Sequence, residues 1–99
     1  MTLTRELEYT PPESDTPRTV RVSVGVPEPD PLPGGDFRVR VEIVGFDDAY
    51  AKYTFGVDAI QALILALGTV PDVVHALAGG GRVTWLGYDD LGFRYTPPA

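Results

Sequence analysis

The chain has no cysteine, one histidine and one tryptophan among its 99 residues. Without thiols there is no disulfide framework, no thiolate metal site and no cysteine nucleophile, and such a composition suits a reducing cytoplasm. With His75 alone, every two-imidazole metal motif within one chain is excluded. Long apolar runs are missing too. The longest, Ala62 to Leu67, falls far short of the ~20 residues that span a bilayer, and Met1 to Glu6 lacks the apolar stretch of a signal peptide. A soluble chain with no membrane partner is expected. Basic charge is scarce: eight Lys and Arg stand against fourteen Asp and Glu, a net charge of −6. That field repels phosphate backbones and anionic membranes, so a nucleic-acid partner is not expected and a basic protein partner is.

What is present describes architecture. Nothing in the composition marks a boundary, so residues 1–99 are expected to form a single domain with a real core. Leu3, Leu7 and Tyr9 alternate with Thr4, Glu6 and Glu8, the pattern of a strand with one buried and one wet face. Arg5 falls on the apolar side, which calls for a bulge or for a carboxylate within its reach. A proline-rich loop leads to Val20, Val22, Val24 and Val26 on one face of a second strand. The alternating prolines from Pro27 to Pro33 predict a stiff extended excursion before the Gly34-Gly35 turn. A third strand places Phe37, Val39, Val41 and Ile43 inside; a fourth, Tyr50 to Phe55, points Ala51, Tyr53 and Phe55 inward. Arg21, Arg38 and Arg40 share the wet face with Glu6, Glu8 and Glu42, which predicts cross-strand ion pairs rather than a basic patch.

Asp58 and Gln61 form a capping box at the start of a helix whose Ile60, Leu63, Ile64 and Leu67 follow the spacing of one packed stripe. Leu65 lies off that stripe. Pro71 predicts a kink or a break near Gly68 to Val70, and Gly79-Gly80-Gly81 ends the helical stretch after Ala78. A closing strand, Arg82 to Leu86, turns Val83 and Trp85 inward. The fold class is α+β: a twisted antiparallel sheet of about five strands in the order β-β-β-β-α-β, with one long or kinked helix packed on one face.

Chemistry-bearing patterns are sparse. The triple glycine follows a helix instead of opening one, the wrong polarity for a phosphate cradle. Ser14 and Ser23 sit in a proline-rich loop and on a strand, neither of them a nucleophile elbow for His75. The vicinal pairs Asp47-Asp48 and Asp89-Asp90 read as turns. No catalytic residue, cofactor site or metal site is assigned. The densest aromatic segment is the last quarter, where Trp85, Tyr88, Phe93 and Tyr95 are interleaved with Asp89 and Asp90. Those six residues are the candidate interaction surface, since Trp and Tyr supply much contact area at low entropic cost. The plainer account has the same aromatics closing the domain's own core.

Phe55-Gly56-Val57-Asp58 with Gln61-Ala62-Leu63, then Gly81-Arg82 with Thr84-Trp85-Leu86-Gly87, and Asp90-Leu91-Gly92-Phe93, resemble a family of short uncharacterised bacterial proteins that carry a domain of unknown function. The resemblance covers chiefly the second half of the chain. It implies a bacterial, stand-alone, single-domain protein and supplies no active site. Pro71 departs from the unbroken helix associated with such sequences.

Three functions are therefore expected to compete. The leading one is a small acidic non-catalytic interaction protein, an adaptor or an immunity-type inhibitor of a basic protein. The second is a small-molecule binder or weak hydrolase using a pocket near the Gly79–Gly81 hinge, with Tyr88, Asp89, Asp90 and His75 as its polar groups. The third is homodimerisation through an open sheet edge.

Overall fold

The computed structural model describes residues 1–32 and 34–94. Its elements are β1 (Thr2–Thr10), β2 (Arg18–Gly25), β3 (Glu28–Pro29), β4 (Phe37–Val44), β5 (Tyr50–Gly56), α1 (Ala59–Ala78) and β6 (Arg82–Thr84). All pairings are antiparallel: β4 pairs with β2, β3 and β5, β2 with β1, and β1 with β6. The α+β class and the helix on one face are as expected. The sixth strand is β3, two residues inside the proline excursion that pair with Arg38 and Phe37.

The valine alternation sets the inner face. Val20, Val22, Val24, Val39, Val41 and Ile43 are buried with Leu7, Tyr9 and Val83 beneath the helix. Val26 does not join them: β2 ends at Gly25, and Val26 is exposed in the bend toward β3. On the outer face Arg21 reaches Glu6 at 3.0 Å, Arg40 reaches Glu42 at 2.7 Å and Arg38 reaches Glu28 at 2.8 Å, so the arginines are paired.

The parity of β5 is opposite to the expected one. Val39 faces Thr54, Val41 faces Lys52 and Phe37 faces Gly56, which leaves Ala51, Tyr53 and Phe55 on the outer face opposite Glu42, Arg40 and Arg38. Gly56 explains the reversal. It is buried where the first turn of α1 crosses, and a Cβ there would collide with the backbone of Ala62. Only glycine permits that approach, so Gly56 must point inward and its odd-numbered neighbours outward.

The same close approach rotates the helix. Its innermost residues are Ala62, Ala66, Val70, Val74 and Ala78, a row at i, i+4 spacing. Leu63 and Leu67 are half-buried at its flank, whereas Ile60 and Ile64, expected in the core, are 70% and 63% exposed. Small side chains allow α1 to lie near the sheet, and the larger ones are displaced to the side. Asp58 caps the helix by accepting from Gln61 N at 2.8 Å, and the Gln61 side chain accepts from Val57 N, one residue before the expected Asp58. Pro71 does not divide the helix; Ala59–Ala78 is continuous, with Gly79 left-handed at φ 59° as its C-cap. The Arg94 guanidinium donates to Gly68 O at 3.0 Å and to Asp72 at 2.8 Å, bridging the turn that Pro71 disturbs. In length and composition this 20-residue helix suffices to cross a membrane. The run from Ala62 to Leu67 understates it because Gly68, Thr69 and Pro71 interrupt the sequence without making the helix polar.

Candidate interaction surface

Beyond Thr84 the chain turns tightly. Trp85 and Tyr88 exchange both backbone hydrogen bonds at 2.8 Å, and the two residues between them, Leu86 at φ 53° and Gly87 at φ 85°, are left-handed. This is a two-residue hairpin of the kind that asparagine and glycine favour. A leucine in that conformation costs about 1–2 kcal/mol. Leu86 is also 78% exposed and Tyr88 68% exposed, so the tip of the hairpin displays two large side chains that the core does not use. Asp89 and Asp90 follow, both exposed. Asp89 pairs with Arg82 at 3.3 Å, and Asp90 accepts from Gly92 N at 2.9 Å, a local turn that sends Leu91 back into the core.

The support beneath the hairpin is built on Arg5. The β1–β2 register is unbroken from Thr2 to Tyr9, so no bulge relieves this arginine, and it reaches no carboxylate among the described residues. Instead its guanidinium lies 4.0 Å from the Trp85 ring centroid and 4.8 Å from that of Phe93, and donates to Leu91 O at 2.9 Å. Two aromatic faces and a carbonyl take the place of the expected ion pair. Gly92 is required here, since its φ is 74° and a Cβ would strike the Trp85 ring. Of the six candidate residues, Tyr88, Asp89 and Asp90 are exposed, while Trp85 and Phe93 are half-buried against the core. Tyr95 lies outside the described residues.

His75, Asp89 and Asp90 line one cleft of about 250 Å³ with Pro71, Leu91, Phe93 and Arg94; Tyr88 is not part of its wall. The two carboxylates are engaged by Arg82 and Gly92, and among the described residues no hydrogen bond orients His75. Ser23 lies on the outer face of the sheet, away from the helix that carries His75. Among the described residues no group of three or more His, Asp or Glu is arranged to hold a metal ion.

A second exposed cluster escaped sequence reasoning because its aromatics resemble core residues. Tyr53 and Phe55 stand side by side on the outer face, ring centroids 6.4 Å apart, with the Arg38 guanidinium 4.2 Å and the Arg40 guanidinium 5.7 Å from the Tyr53 ring. Hydrogen bonding of the Arg40 guanidinium to Glu42, which accepts from its Nε, and then to Tyr53 raises the pKa of Arg40 above its ordinary value. The signal that could have found this patch is Gly56, whose required inward position fixes the parity of the whole strand.

Residues 3–95 match a family model described as a domain of unknown function, DUF6968, and the chain belongs to that family. No curated protein matches it, and no solved structure does.

Proposed function

We propose that this protein is a small non-catalytic interaction protein, an adaptor or an immunity-type inhibitor, that docks on a basic protein through the Leu86–Asp90 hairpin. The observation that supports this reading is Leu86 itself, an exposed apolar side chain held in a left-handed turn that asparagine or glycine would form with less strain. Tyr88 beside it adds an aromatic anchor, Asp89 and Asp90 add charge opposite to that of the partner, and the net charge of −6 speeds the encounter. Leu86→Asn preserves the turn and removes the apolar tip. In affinity capture from the native host at low salt, the variant is expected to retain its partner at least tenfold less well than the parent, and high salt is expected to release the partner from the parent. Capture that neither the substitution nor salt alters would overturn the proposal. The absence of cysteine supports placing the protein in a reducing cytoplasm, and the resemblance given above is what implies a bacterial one; fractionation of the host tests the placement.

A specific observation favours a second reading, homodimerisation through β5. Among the described residues that strand pairs with β4 on one side only; it runs for seven residues without proline and carries Tyr53 and Phe55 on its outer face. Sedimentation over a range of concentrations is expected to show association that Phe55→Lys abolishes. A mass that does not change with concentration removes this reading.

A further inference from the structure

We propose that the groove between β1, β2 and α1 binds an apolar monocarboxylate, with Arg5 receiving the carboxylate. The groove has a volume of about 350 Å³ and is walled by Leu3, Val22, Val24, Leu67 and Phe93, with Arg5 among them. That volume lies at the lower end of small-molecule sites, ~300–1,000 Å³. Its lining leaves little for a sugar or a nucleotide to bond, because apart from Arg5 its one polar side chain is that of Thr4.

Arg5 selects the charge. Six arginines of the chain hold a carboxylate within 4.0 Å, and Arg5 alone holds none among the described residues. It is nevertheless half-buried, and a guanidinium partly withdrawn from water gains most from an anion. One nitrogen, Nη1, is engaged by Leu91 O. No hydrogen bond within the described residues engages its other nitrogens, and none of them is fully enclosed without a partner. Trp85 and Phe93 hold the guanidinium plane before any ligand arrives, so little ordering remains to be done on binding.

The helix supplies the track for the apolar chain. Leu67, Ile64 and Ile60 succeed one another at spacings of three and four, which places them on one side of α1, and the run from Leu67 to Ile60 measures about 10 Å at the rise of an α-helix. Of the three, Leu67 lines the groove, and both isoleucines are exposed beyond it on the same side of the helix, an exposure the domain's own core does not explain.

Sodium decanoate, below its micelle concentration, is the probe. Titrated into the full chain, it is expected to saturate, to change the emission of Trp85, the sole tryptophan, and to shift the methyl resonances of Leu3, Val24 and Leu67. Decanol and decyltrimethylammonium are expected to bind at least tenfold more weakly. Leu3→Asp, at an exposed position that leaves the fold intact, is expected to weaken decanoate at least tenfold, and Arg5→Gln to equalise decanoate and decanol. Equal affinity for acid and alcohol in the parent overturns the proposal, as does the absence of saturation at millimolar decanoate or shifts confined to the Tyr53–Phe55 face. A peptide ending in a free leucine carboxylate that binds tenfold more tightly than decanoate would overturn the assignment to a free acid.

Discussion

Arginine stacks on aromatic rings at two places in this molecule, and the two clusters differ in almost every other respect. On the inner face Arg5 lies against Trp85 and Phe93, half-buried and without a carboxylate among the described residues, and the closing turn of the chain depends on it. On the outer face Arg38 and Arg40 flank Tyr53, each paired with a glutamate; Arg40 is exposed, while Arg38 is half-buried and lies 4.0 Å from Asp30 as well. The same chemistry therefore serves as a seal in one place and as a display in the other. What separates them is the partners and the rings: the outer guanidiniums already hold carboxylates beside exposed rings, whereas the inner one meets Trp85 and Phe93 packed against the core, so that stack also carries the burial of its rings.

The sharpest way to break the contrast is Trp85→Ala. It removes the floor under Arg5 and the wall behind Gly92, and is expected to cost about 3–5 kcal/mol in urea or thermal unfolding. A loss below 1 kcal/mol would place the inner cluster in the same class as the outer one. Gly92→Ala tests the closeness of that packing. A new Cβ would press on the Trp85 ring from a left-handed backbone, and a destabilisation of about 1–3 kcal/mol is expected. Tyr53→Ala should barely register, at no more than ~1 kcal/mol, because the arginines it meets keep their glutamates. A larger effect would mean that the outer cluster supports the sheet and is not free for a partner.

The contrast also explains what could be read in advance. The valine alternation of β2 and β4, the Asp58 cap and the glycine stop after Ala78 were legible because each follows from a local rule with one outcome. The parity of β5 was not. Tyr53 and Phe55 outrank Lys52 and Thr54 by size and hydrophobicity, and the decisive residue, Gly56, acts through a helix that comes later in the chain. The packed stripe of α1 failed for the same reason: Ile60 and Ile64 are the bulkier residues, yet Ala62 and Ala66 fit the space the close approach leaves. Of the candidate surface, Asp89 and Asp90 could be placed in a turn from their own chemistry, whereas for Tyr88 and the other aromatics the sequence left surface and core both open. That Trp85 and Phe93 lie beneath Tyr88 and the two aspartates follows from Arg5, a contact some eighty residues distant in sequence that no local pattern announces.

Pro71 gives the helix a consequence of a different kind. The carbonyl one turn earlier has no amide to receive, and what spans that joint at the surface is the clamp from Arg94 to Gly68 and Asp72. The helix thus runs unbroken through a turn that lacks one internal hydrogen bond and is held from outside by a latch. Ionic strength loosens the latch without touching the apolar packing beneath it. Deuterium should enter the backbone around Thr69 first as salt is raised, long before the helix comes away from the sheet.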